Sequence, residues 1–136
     1  MITSKIKYLG ELRTEATHIQ SDNVIYTDAP KDNQGKGEMF SPTDLVAAAL
    51  GSCMFTIMGI ACNTHKISGF DGTIVEITKI MAPDPRRIIK IIAEITFVSK
   101  FTDKEKAILE NAAKTCPVAK SLHPEIEQDI RFNFIN

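Results

Sequence analysis

SPTDLVAAALGSCMFTIMGIAC, residues Ser41–Cys62, decides the fold. Ser41 suits a helix N-cap and Pro42 the first helical position. Asp44 falls three residues past the cap, where a carboxylate can accept free backbone N–H groups and favour the positive helix end. From Leu45 to Cys62 no charged residue occurs, and apolar side chains fall on every side of a helix. Such a helix has to be covered all round. Cys53 lies in its middle, about three turns from the start. A buried helical cysteine usually packs as a small hydrophobe. The stretch also touches the lower length limit for a membrane span. Gly51, Gly59, Ser52 and Thr56 interrupt it, and neither a Lys/Arg cluster nor an aromatic belt flanks it. It reads as a core helix, with no membrane partner.

Working outward, 136 residues make one domain over 1–136, large enough for a real core. A formal charge of −1 and no dense basic run argue against nucleic acid as the main partner. The opening MITSKIKYLGELRTEATHIQ lacks the apolar core of a secretory signal, and three cysteines do not suggest a disulfide framework. Both point to a reducing cytoplasm, where a disulfide is catalytic or redox-sensing.

Residues 2–9 and 11–20 read as strands parted by a turn near Gly10, with Arg13, Glu15 and Thr17 on one face. A third strand covers Asn23–Asp28, and APKDNQGKGE, Ala29–Glu38, is loop-forming. After the long helix, Gly69–Ile80 and Arg87–Ser99 read as a hairpin turning through Met81–Arg86. A second helix opens at Thr102 with a capping box to Glu105 and stops at or before Cys116, because Pro117 disfavours helix in the residue before it. A turn of helix over Val118–Leu122 follows. The end, Gln128–Ile135, alternates as a half-buried strand. This order is α+β with largely antiparallel sheets around a long buried central helix. One chain of this size has trouble covering a helix that is apolar all round. A second copy would solve the problem, so a homodimer is expected.

Cys53, Cys62 and Cys116 with His18, His65 and His123 show no paired spacing of a structural zinc site, and no phosphate-binding loop, dinucleotide fingerprint or nucleophile elbow occurs. No metal and no cofactor is expected. Thiol chemistry remains.

Leu12–His18 (LRTEATH), Tyr26–Pro30 (YTDAP), Phe40–Met54 (FSPTDLVAAALGSCM) and Thr115–Leu122 (TCPVAKSL) together resemble the OsmC/Ohr family, named for osmotically inducible protein C and organic hydroperoxide resistance. The similarity spans about residues 9 to 134 in matching order. The resemblance implies an OsmC-like fold in an intertwined homodimer. It also implies a cysteine-based peroxidase that reduces small organic hydroperoxides and is regenerated by a dithiol, a dihydrolipoyl group in the Ohr branch. By that resemblance Cys53 matches the peroxidatic cysteine, Cys116 the resolving one and Arg13 the arginine that holds the thiolate. The chemistry is consistent: a thiolate is the nucleophile, burial raises its pKa, and Cys53 is too far inside its helix for the N-terminus to help. An arginine can stabilise the anion without giving up its own charge.

The hydroperoxide-resistance branch orients that arginine with a glutamate ten residues before the reactive cysteine, where this chain has Thr43. Asp44 points to the side of the helix opposite Cys53 and is better explained as a cap residue. Glu38, on the preceding loop, is the carboxylate candidate. The departure suggests an OsmC-like branch outside strict Ohr. Two readings compete with the peroxidase: a dimer of this fold that binds a small molecule without catalysis, and a redox sensor that signals through the same disulfide.

Overall fold

The computed structural model describes all 136 residues, which divide into two compact units, Met1–Val46 and Ala47–Asn136.

The first unit is built on an antiparallel sheet in the order β1 (Ser4–Gly10), β2 (Arg13–His18), β3 (Val24–Asp28). The second strand starts at Arg13 and not at residue 11, because Glu11 and Leu12 (φ 53° and 63°) form the turn itself. Both lie in the left-handed region, as the tight two-residue turns that suit strand twist require, although neither is glycine or asparagine. After β3 the chain folds back on itself through a short 3₁₀ turn at Lys31–Asn33. Gly35 N–H donates to Pro30 O (2.9 Å) and Gly37 N–H to Ala29 O (3.2 Å). The sheet leaves apolar side chains open, Ile6 (60% exposed) and Tyr8 (63%) among them.

Helix α1 (Pro42–His65) starts as expected. Asp44 N–H donates to Ser41 Oγ (3.1 Å), while the Asp44 carboxylate accepts from Ser41 N–H (3.0 Å), so cap and third residue satisfy each other. The helix has the length and hydropathy of a membrane span. Within one chain it is covered on one side only, the shortfall from which a second copy is expected. Ala47, Leu50, Met54, Met58 and Cys62, spaced three or four apart, enter the core, while Ala49, Ser52, Thr56 and Ile60 stay exposed.

In the second unit β4 (Ile74–Pro83) pairs antiparallel with β5 (Arg86–Thr96), which carries β6 (Glu127–Asn133) on its other side. The ladder runs on to Pro83↔Arg86, so the turn shrinks from the expected 81–86 to Asp84–Pro85. Pro83 is tolerated because β4 is an edge strand and the position closes it. The sheet is mixed rather than wholly antiparallel, since β6 runs parallel to β5. Helices α2 (Asp103–Ala113) and α3 (Pro117–Ser121) lie between those two strands in sequence and supply the crossover that a parallel pair needs. At Ile80/Met81 the β4–β5 register steps by one, leaving Ile89 unpaired. That bulge lets Ile88 and Ile91, of opposite parity, both turn inward. With Ala93, Ile95, Phe97, Leu109 and Ala113 they pack against the inner face of α1.

Candidate active site

Of the residues singled out from sequence, Arg13 and Glu38 come together in the first unit. Arg13 opens β2 directly after the left-handed turn. Ala29 N–H donates to Leu12 O (3.1 Å) and Lys36 Nζ pairs with Glu11 (2.8 Å), so the loop after β3 grips the turn from both sides. The Arg13 Nη2 donates to Glu38 Oε1 at 2.8 Å. Glu38 is 61% exposed, and a pair this open contributes little by itself.

A stronger partner, not singled out from sequence, is Asp28. It is the register partner of Arg13 across the β2–β3 ladder and is 1% exposed. Arg13 Nε donates to its Oδ1 (2.7 Å) and Nη2 to its Oδ2 (2.8 Å), the bidentate geometry that suits a guanidinium. The same carboxylate accepts the backbone N–H of Glu38 (3.1 Å), and the Met39 backbone N–H adds a smaller favourable effect on its charge. The arginine side chain first, then these backbone donors, hold its pKa below the ordinary aspartate value against the opposing effect of burial. Arg13 is raised in turn, chiefly by Asp28 and then by Glu38. Asp28 stands in the YTDAP stretch, but a strand-end aspartate before a turn is common, and no local signal marks this one as buried. The Thr43 hydroxyl lies 3.3 Å from that of Ser41 at the start of α1. Beside Glu38 an open cleft of about 440 Å³ is lined by Tyr26, Gly37, Met39, Phe40 and Asp44. Phe40 is 59% exposed there.

In the second unit the structure brings Cys53 and Cys116 together. Cys53 is half-buried on α1, and Cys116 is fully buried. Pro117 opens α3 and makes Cys116 its N-cap, with Ala119 N–H donating to the Cys116 Sγ at 3.2 Å. α2 has already ended at Ala113, which leaves this cap free of either helix. Cys53 neighbours the Cys116 thiol, close enough to raise its pKa. Burial first, opposed by the Ala119 N–H and reinforced by Cys53, pushes the Cys116 thiol above its ordinary pKa. Cys62 is apart from this pair. It is 7% exposed at the far end of α1, and burial pushes its thiol up as well. All three cysteines are free thiols. No three His, Cys, Asp or Glu side chains converge to hold a metal ion.

Residues 35–131 match the family model for OsmC-like protein. No curated protein matches the chain. Among solved structures, a protein from Psychrobacter arcticus 273-4, named for osmotic stress induction and a detoxification response, is 55% identical. It covers 97% of this chain and 96% of its own with a TM-score of 0.93. An organic hydroperoxide resistance protein OsmC from Legionella pneumophila shares the fold at 16% identity, 98% coverage of each chain and a TM-score of 0.73. So does a protein from Vibrio cholerae assigned to organic hydroperoxide resistance, with captopril bound in one of the active sites. Its identity is 13%, its coverage 99% of this chain and 94% of that chain, and its TM-score 0.75. By the family model and the Psychrobacter relative, this chain belongs to the OsmC-like family.

Proposed function

We propose that the protein is a thiol-dependent peroxidase of the cytoplasm that reduces small organic hydroperoxides as a homodimer. The observation that carries this reading is that the half-buried Cys53 thiol lies close enough to the sealed Cys116 thiol to raise its pKa. The two thiols differ in the way a nucleophile and a resolving group should. Cys53 is partly open, whereas Cys116 is sealed and kept protonated by burial, so it does not compete for the oxidant. The Cys53 thiolate attacks the outer peroxide oxygen; an S–O bond forms, the O–O bond breaks, and the alkoxide leaves as the alcohol after taking a proton. Cys53 is then a sulfenic acid. The Cys116 sulfur attacks it, an S–S bond forms, and hydroxide leaves as water with the Cys116 proton. An external dithiol reduces the disulfide and becomes a disulfide itself. Arg13 is the cation this reading assigns to the thiolate. The cleft lined by Tyr26, Met39 and Phe40 beside Glu38 suits an organic tail better than hydrogen peroxide. The names of the Legionella and Vibrio proteins support the substrate class.

The test is thiol titration of the reduced protein after one equivalent of cumene hydroperoxide. Loss of two thiols, with turnover on added dihydrolipoamide, is the expected result. No loss supports a non-catalytic binding protein, and loss without turnover supports a redox sensor.

A further inference from the structure

We infer that Asp28 is the residue that positions Arg13, and that Glu38 is a second, removable hold on the same guanidinium. The functional consequence rests on the role proposed for Arg13 above; the positioning itself rests on geometry.

Arg13 has five N–H donors along the edges of a planar fork. Asp28 takes the Nε/Nη2 edge with both carboxylate oxygens, and Glu38 takes one further bond on Nη2. Nη1 makes no hydrogen bond within the chain, so its two donors are free for an anion. A bidentate grip on one edge fixes the plane of the guanidinium and therefore the direction in which Nη1 points. A single bond from Glu38 cannot do this. Glu38 sits on a loop at 61% exposure, where water can replace it. Asp28 is held by the β2–β3 register opposite Arg13 and is sealed at 1% exposure. Asp28 also sets where Glu38 begins, since its Oδ2 accepts the Glu38 N–H. This accounts for a chain that carries Thr43 where the hydroperoxide-resistance branch has its glutamate: the orienting carboxylate comes from the end of β3 instead.

The two carboxylates touch different nitrogens, and that separates them experimentally. The Arg13 Nε–H donates to Asp28 alone. In a ¹⁵N NMR spectrum it should give a resolved, slowly exchanging signal that survives Glu38→Gln and disappears in Asp28→Asn. In parallel, the pH profile of Cys53 alkylation in Asp28→Asn should follow that of Arg13→Ala, with peroxide reduction slowed up to about 100-fold by the misplaced guanidinium. Combining Asp28→Asn with Arg13→Ala should add nothing further. An Nε–H signal lost in Glu38→Gln, or an alkylation profile that moves with Glu38→Gln and not with Asp28→Asn, overturns the inference. Should Asp28→Asn not fold, Glu38→Gln decides alone, because its position is exposed. If Arg13→Ala leaves the alkylation profile in place, the role assigned to Arg13 falls, and the Nε–H signal still decides whether Asp28 holds it.

Discussion

The Cys116 thiol, wholly buried at the cap of α3, neighbours Cys53 in the middle of α1 closely enough for Cys53 to raise its pKa, while Cys62 lies at the far end of the same helix. Oxidation should therefore crosslink 53 with 116. Nine helical residues separate Cys53 from Cys62, about 13.5 Å along the axis and half a turn round it, whereas a disulfide needs Cα atoms within about 7 Å. Peptide mapping after peroxide should recover the 53–116 pair, and a 53–62 crosslink would sink the mechanism. Cys62→Ala should leave turnover within about twofold, since its buried thiol stays protonated near neutral pH. Cys116→Ser should be oxidised once and then stall or over-oxidise.

Gly51 should resist substitution for reasons of space alone. A Cβ there would stand 3.0 Å from Ile77 Cδ1 and 3.2 Å from Val75 Cγ1, where α1 crosses β4. Gly51→Ala gains helix propensity but forces those two side chains aside, and overpacking of this kind costs about 1–3 kcal/mol. Urea denaturation should show a net loss. An unchanged or raised midpoint would mean that the sheet yields freely.

Much of this architecture was legible from local signals. Ser41, Pro42 and Asp44 announced the start of α1, Thr102 and Glu105 that of α2, and Pro117 the break before α3, because caps and prolines act over a few residues. The parallel placement of β6 was not legible; which edge a terminal strand joins depends on the whole sheet. Nor was the turn at Glu11–Leu12, which takes left-handed geometry without the usual residues and is held by Lys36 and Ala29 from the loop that returns to it. In the site, Cys53, Cys116 and Arg13 could be proposed from the resemblance, and Glu38 as a carboxylate on the loop before α1. Asp28 could not, since its partnership arises only once β2 and β3 are in register.

The Arg13–Asp28 pair should make stability pH-dependent on the acid side. The folded pKa of Asp28 lies below its unfolded value of about 3.9, so the unfolded chain binds more protons in that window and stability rises with pH through it. The contribution is fully present above about pH 4 and is lost as pH falls through the folded value. Asp28→Asn should thus be less stable than the parent at neutral pH and converge with it under acid. Denaturant midpoints measured along a pH series check this. A gap that stays constant down to the lowest pH would show that Asp28 acts through packing or backbone hydrogen bonds and not through its charge.

The outer face of α1 carries the prediction of a dimer. Ala49, Ser52, Thr56 and Ile60 are exposed there, with Ile60 at 55%, and no charged residue falls on that face between Leu45 and Cys62. A helix face meant for water carries charge, and an uncharged one of this length marks a surface that is covered. The open side chains Ile6 and Tyr8 on the first sheet are a second surface of the same kind. Sedimentation at low micromolar concentration should give twice the 15.0 kDa of one chain. Ile60→Glu would bury a carboxylate without a partner in each subunit, which should move the monomer–dimer midpoint to at least about tenfold higher concentration. Far-UV circular dichroism of the isolated variant separates dissociation from unfolding, because Ile60 lies outside the core cluster of its own chain. A parent protein that sediments as one chain, or an Ile60→Glu variant that dimerises as tightly as the parent, would rule out this face as the interface.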